Sequence, residues 1–338
     1  TNFNRNEAIF RLSERVMDTE GFNNSPSFTA TLLHKAKRPG TQFRLIAGFN
    51  TSANSNQRHF FQQFFNPDQT PNGIDSTQKQ ITVTNNHGFS VNAGYDRQLR
   101  NKKTSLSTGA LFNRTNSNVD LQTSFLRKPD ALFEKVDLLS NNFIFHQDVI
   151  NLRSSVKHVI KPGMSVSAGV ALELTNIFFE LLKINANEYN RYLNLLPFAN
   201  FSRSWANKTN LSVAYRRTIR RPGINELNPA IDYTDPYNLR YGNPDLLPSL
   251  AHTFDVVVGK TKETFFINLG TGFNLVEDIF AQIRTLQGNG VTIVSWDNVS
   301  QRKEYELSSW SGLTLSKKLR FNWSASYVYN VYGSFDKE

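Results

Sequence analysis

Apolar residues in this chain recur at every second position over stretches far longer than an ordinary strand. From Met164 the even positions read Met164, Val166, Ala168, Val170, Leu172 and Leu174, with Ser165, Ser167, Gly169, Ala171, Glu173 and Thr175 between them. Near the end, Leu319, Phe321, Trp323, Ala325, Tyr327, Tyr329 and Val331 alternate with Arg320, Asn322, Ser324, Ser326, Val328, Asn330 and Tyr332. Weaker copies run through Phe43-Leu45-Ala47-Phe49, Phe89-Val91-Ala93-Tyr95 and Phe265-Ile267-Leu269. Side chains two apart share a face of a strand, so each stretch has one apolar and one mostly polar face. Globular strands average about five or six residues. These run to at least twice that, enough for a tilted membrane span of about ten residues.

Composition fits a sheet that is wet on one face. Only 39% of residues are apolar, yet aromatics reach 12%, with 27 Phe and 11 Tyr. With no cysteine, disulfides and thiolate metal sites are excluded. No apolar run of about 18 residues exists, which excludes a transmembrane helix but not a barrel. The net charge of +10 is assigned to turns and solvated surface. No zinc finger, helix-turn-helix or RNA-binding motif accompanies it, so nucleic acid is not an expected partner. The histidines are scattered and no HExxH, GxSxG, Walker or GxGxxG motif occurs. The chain is therefore read as no enzyme, with no catalytic residue, cofactor or metal site.

Breaks in the alternation come in two kinds. Tight, mostly basic turns stand at Arg38-Pro39-Gly40, Arg100-Asn101-Lys102-Lys103, Lys161-Pro162-Gly163, Ala206-Asn207-Lys208, Lys260-Thr261-Lys262 and Lys317-Lys318. Between them lie long connections at 56–77, 125–141 and 222–249 and short ones near 185–188 and 288–290. About 13 strands follow: 5–18, 27–37, 41–55, 78–98, 104–123, 142–160, 164–184, 189–205, 209–221, 250–260, 263–286, 291–316 and 319–334. An antiparallel up-and-down transmembrane β-barrel has this asymmetry, with tight turns on one rim and loops on the other. Soluble sandwiches turn about every 8–12 residues, and here the tight turns are far wider apart. The odd count, and an ending at Phe335-Asp336-Lys337-Glu338 with no apolar-aromatic last strand, point to a segment of a larger barrel. Thr1 follows no initiator Met or signal-peptide pattern, as in a processed or excised segment.

The stretch Tyr215–Gly259 carries more specific information. Its middle is punctuated by Arg221-Pro222, Leu227-Asn228-Pro229, Asp235-Pro236 and Gly242-Asn243-Pro244-Asp245-Leu246-Leu247-Pro248. Val276-Glu277-Asp278-Ile279, Trp296-Asp297-Asn298-Val299 and Tyr305-Glu306-Leu307 follow downstream. This pattern resembles the long loop of TonB-dependent receptor barrels, most of all the outer membrane protein β-barrel family of Bacteroidetes type. Ser249 stands where that family usually has Glu. The resemblance implies a barrel of about 22 strands in the cell outer membrane. It further implies uptake of a scarce solute (siderophore, glycan, cobalamin or peptide), energy from TonB, lipid contact and a possible surface lipoprotein partner. Residues 1–338 read as one barrel segment without the plug domain that would hold the TonB-binding motif. A passive porin-like channel and a soluble β-rich binding protein are the alternatives.

Two clusters are candidate ligand contacts. By parity Arg216 and Arg220 share the face of Asn210 and Ser212, expected to be the lumen, with Arg217 and Arg221 beside them. They could draw an anionic solute or pair with carboxylates. In the first long connection Phe60, Phe61, Phe64 and Phe65 are expected to be exposed, gripping a ligand or packing within the loop. The 27-residue loop from Pro222 to Pro248 contains five prolines. Fixed φ angles should keep it ordered, as a lid or a rim scaffold.

Overall fold

The computed structural model describes residues 2–3, 9–182, 186–229, 231–232, 235, 237–288 and 290–333. Its first strands are β1 (Asn2–Phe3), β2 (Ile9–Asn24), β3 (Ser27–Lys35), β4 (Thr41–Phe65), β5 (Pro71–Gln98) and β6 (Thr104–Arg127). Next come β7 (Leu132–Lys135), β8 (Asn141–Lys161), β9 (Met164–Leu181), β10 (Ala186–Ser204) and β11 (Thr209–Arg220). A single helical turn, α1 (Ile224–Leu227), precedes β12 (Asn238–Arg240), β13 (Ser249–Thr261) and β14 (Phe265–Glu277). The last are β15 (Ile279–Leu286), β16 (Thr292–Val299), β17 (Arg302–Ser316) and β18 (Leu319–Tyr332).

One antiparallel sheet of 15 strands runs β1-β2-β4-β5-β6-β8-β9-β10-β11-β13-β14-β17-β18, with β3 on β4 and β7 on β6. Each long strand pairs with its sequence neighbour, as up-and-down connectivity requires. The registers Lys35↔Gln42, Gln98↔Ser105, Lys161↔Met164, Ser204↔Asn210, Thr261↔Phe266 and Ser316↔Leu319 put every expected tight turn on one rim. Adjacent turns are laced together. Gln98 N–H donates to Gly40 O, Val159 to Lys103 and Thr261 to Lys208, at 2.8, 2.8 and 3.1 Å.

Three expected boundaries change. The strands expected at 5–18 and 27–37 lie end to end on one edge of β4, from Leu12↔Phe65 to Asn24↔Ala53 and then Ser27↔Asn50 to Lys35↔Gln42. Pro26, which has no N–H, interrupts what is otherwise one strand. The long connection expected at 56–77 is mostly strand, because β4 and β5 continue well past the membrane's thickness. Only 66–70 turns, with the Thr70 hydroxyl donating to Asp68 at 2.6 Å and holding that carboxyl below its usual pKa range. The strands expected at 263–286 and 291–316 each break in two. Asp278, in the left-handed region at φ 52°, ends β14, and β15 and β16 join β12 in a separate three-stranded sheet. The connections near 185–188 and 288–290 fall partly outside the described residues, and the ending at 335–338 wholly so.

On β9 the even residues are the open ones. Val170 and Leu172 are 38% and 42% exposed, whereas Glu173, Thr175, Ile177, Phe179 and Leu181 are buried. The exposed row faces lipid. Register extends this face: Trp323 stands opposite Ser311, which stands opposite Ile267. An aromatic row, Tyr215–Phe254–Phe273–Tyr305–Tyr329, crosses five strands on the same outer face with centroids 4.7–6.4 Å apart. A groove of about 640 Å³ opens along that row.

Ser165 and Ser167 lie on the inner face, as alternation predicts, and their expected companions Asn322 and Ser324 pair with Gly312 and Trp310 on the same face. The polar inner face does not continue to the loop end. There it turns apolar, and Phe143, Phe145, Ile177, Phe179 and Leu181 form a core with Leu227, Leu246 and Phe280. The core exists because residues 222–248 and the small sheet fold inward and cover it.

Candidate functional site

The loop is seated by specific contacts at both of its ends. Arg221, the last residue before Pro222, pairs with the buried Glu173 and donates to Thr175 Oγ1 at 3.3 Å, both on β9. That bond turns the chain inward as it leaves β11, and Pro222 is fully buried. Gly223 N–H donates to the Glu226 carboxylate at 3.0 Å, closing α1 and sending Leu227 into the core. Gly242 N–H bonds Asn228 O at 2.6 Å, and Asn243 N–H bonds Glu226 O at 2.7 Å. A Cβ at 242 would lie 2.5 Å from Asn228 N, so only glycine lets the two arms of the loop approach this closely.

The returning arm is held in turn. Tyr192 donates to Leu246 O at 2.8 Å, and Asn190 donates to Pro244 O. Asn298 on β16 accepts from Leu247 N–H at 2.8 Å and donates to Leu247 O at 3.0 Å. On the far side of the sheet, Phe64 meets Tyr237 edge to face with centroids 6.4 Å apart. One loop therefore touches β4 on one side and the neighbouring β9 and β10 on the other, with β5, β6 and β8 between them, so the sheet wraps around it. The family-motif residues Leu227, Asn228, Gly242, Asn243, Pro244 and Leu246 are those that make this fold-back. For Pro229 and Pro248 the position in the same course is all that is added.

Beneath the loop remains a cavity of about 530 Å³. Arg58, Gln80, Thr82, Asn141 and Phe143 line it from the sheet, Asn225, Glu226, Asp232, Arg240 and Tyr241 from the loop, and Gln282 and Trp296 from the small sheet. Arg58 and Gln80 are direct cross-strand partners. Among the described residues neither Arg58 nor Arg240 is in an ion pair. Two guanidinium groups, the carboxylates of Glu226 and Asp232 and several amides beside Phe143, Tyr241 and Trp296 can take a polar solute, with the arginines as contacts for its anionic groups.

The arginines singled out by sequence are largely engaged already. Arg216 and Arg220 do face inward, as their parity predicts. Arg216 binds Asp255 at 3.2 Å. Arg220 lies 3.8 Å from Glu226 and packs 4.5 Å above the Phe280 ring, at the edge of the cavity. Arg217 is outward and donates to Leu195 O at 3.2 Å. Four residues along a strand separate Arg216 from Arg220 by about 13 Å, so they are not one joint anion site.

The four phenylalanines are not a loop cluster. They belong to β4, whose alternation sends Phe60 and Phe64 inward and Phe61 and Phe65 outward. Phe60 is buried under the Arg15 guanidinium at 4.3 Å, while Phe61 is the open one. Sequence reasoning missed Arg58, Gln80, Asn141, Arg240, Tyr241 and Trp296. A signal existed for the first: read as strand, 58–64 puts Arg58, Phe60, Gln62 and Phe64 on one face.

Comparison with curated protein sequences finds no match. Among solved structures, the chain is similar to the unliganded ferric citrate transporter FecA, with TM-score 0.56 and 11% identity over 88% of this chain and 44% of that one. The copper transporter OprC gives TM-score 0.52 and 8% identity over 95% and 61%. The FrpB iron transporter from Neisseria meningitidis gives TM-score 0.51 and 10% identity over 92% and 52%. The chain thus spans about half the length of the structures it matches, and shares with them the course of the barrel strands. Residues 34–338 match the model of the outer membrane protein beta-barrel family, which covers the turns, the lipid-facing rows and the infolded loop alike. This chain belongs to the outer membrane β-barrel family and lies in the outer membrane.

Proposed function

We propose that the chain is the membrane barrel of an active uptake receptor, which captures an anionic solute in the cavity under the proline loop. The observation that carries this is the roof. The loop is sealed to the inner face by an apolar core, yet leaves a polar cavity with two arginines that are in no ion pair among the described residues. A loop in the lumen narrows a passive pore, whereas a receptor needs in addition a preformed polar site, and the cavity under the roof supports that reading. In this reading the plug that gates passage and the contact with TonB come from residues outside these 338. A surface lipoprotein over the loop end belongs to the same picture, and the role is capture and transport, not catalysis. FecA is named for ferric citrate, an anionic chelate of the class such arginines suit.

The test is solute binding and uptake by the full-length protein. Exchanging Arg58→Gln and Arg240→Gln together should weaken binding of the anionic solute about tenfold or more, with normal amounts of folded protein in the membrane. Arg216→Gln with Arg220→Gln should change it less, since both side chains are already paired. Unchanged binding in the first pair excludes this cavity. A large, TonB-independent conductance in planar bilayers favours a passive channel instead.

A further inference from the structure

The six tight turns are unusual in charge. The connecting residues 36–40, 99–103, 162–163, 205–208, 262–264 and 317–318 hold nine Lys or Arg and one acid, Glu263. The opposite connections, at 66–70, 128–131, 136–140, 182–185, 221–248 and 287–291, hold seven acids and four bases. The pairing registers bring all six turns to one rim, so the sequence-scattered charges form a basic arc. Lys102, Lys103, Lys208, Lys262, Lys317 and Lys318 are exposed, and none is in an ion pair among the described residues.

Two of these lysines sit where a lysine is costly. Lys102 and Lys208 occupy left-handed backbone at φ 54° and 60°. Sister turns use Gly40 and Gly163 for the same conformation, at φ 70° and 74°. Charge is thus kept at a position that turn geometry would give to glycine. Just above the turns the outer face is apolar: Phe43, Val166, Ile267 and Phe321 are all exposed. Three residues of strand, roughly 10 Å, separate Gly40 from Phe43 and Lys318 from Phe321, which is the depth between hydrocarbon and headgroups. The Arg203 guanidinium lies 4.6 Å from the Trp205 ring and the Lys262 ammonium 5.5 Å from the Phe265 ring, so basic heads and aromatic rings meet at this end of the strands.

We propose that this rim is a binding surface for anionic phospholipid headgroups in the adjoining leaflet. Successive turns are two strands apart, about 10 Å, so each meets its own headgroup rather than sharing one compact ligand. Charge complementarity selects the lipid class, and the apolar band above accepts its acyl chains.

The experiment places the full-length protein in phosphatidylethanolamine vesicles with spin-labelled phosphatidylglycerol or spin-labelled phosphatidylethanolamine, and reads the motionally restricted fraction. Phosphatidylglycerol should associate about threefold more strongly, falling toward parity at about 1 M salt, where the screening length is about 3 Å. The variant carrying Lys→Gln at 102, 103, 208, 262, 317 and 318 should lose the preference, with Lys102→Gln plus Lys208→Gln as a milder version should assembly fail. Arg127→Gln, Lys128→Gln and Lys135→Gln at the loop end should keep it. Equal association of both lipids with the unaltered protein overturns the proposal, as does a preference that survives the six changes. Salt-sensitive sedimentation with purified peptidoglycan, without a lipid preference, assigns the rim to the cell wall and overturns it too.

Discussion

The inner face of β9 is two surfaces in one strand. Toward the turns it carries Ser165, Ser167, Gly169 and Ala171; toward the loops it carries Ile177, Phe179 and Leu181, with Glu173 and Thr175 at the junction. Backbone, pairing and parity are the same throughout. What differs is the cover, since the loop half lies under Leu227, Leu246 and Phe280. Whether a barrel-facing position is polar or apolar is therefore set by what lies against it, not by the strand it belongs to. Glu173 marks the border, neutralised by the arginine that starts the covering loop.

The contrast can be broken most directly at Phe179, which is 2% exposed. Phe179→Ala should destabilise the loop's seat by about 3–5 kcal/mol, whereas Ser167→Ala should stay within about 0.5 kcal/mol. Limited proteolysis within 222–248, read by the rate of first cleavage, separates the two. Equal rates in both variants mean that the core does not hold the loop.

A change on the other face sharpens the distinction between cover by protein and cover by lipid. Val170→Arg should cost roughly 2–4 kcal/mol if the residue lies near the bilayer midplane, measured by denaturant titration in vesicles. The loop's protease resistance should be untouched, because Val170 points away from it. Loss of that resistance would put Val170 in contact with protein.

The smallest expected effect tests the fold-back itself. Gly242→Ala forces a methyl toward backbone atoms of Asn228 and should cost about 1–3 kcal/mol. It should loosen the loop without altering strand pairing, seen as faster amide exchange at Asn243 and Leu246 with β9 unchanged. Protection in the loop equal to that of the unaltered protein would show that its two arms have room to spare.

Much of this was legible because period-two alternation is a local property. Strand rhythm, the rim assignment of the turns and the inward aim of Arg216 and Arg220 all follow from counting residues. Composition misled where chain length mattered. His59-Phe60-Phe61-Gln62-Gln63-Phe64-Phe65 reads as loop because a membrane strand should have ended by then, yet β4 continues as far as Phe65. The break at Asp278 has no local signal either, since an aspartate in left-handed backbone looks like any other in sequence.

By itself, then, the sequence determined an antiparallel meander with one lipid-facing row per strand, tight basic turns on one rim and a rigid proline loop on the other. Solvent choice dictates that much, because hydrocarbon accepts only one face and backbone polar groups must pair. Only the tertiary structure decided where the loop goes. Its cavity draws on positions 58, 80, 141, 240 and 296, which sit on five different strands. No short-range pattern links them. They meet because Leu227 and Leu246 bury themselves against strands that are distant in sequence, and burial of apolar surface depends on area rather than on order along the chain.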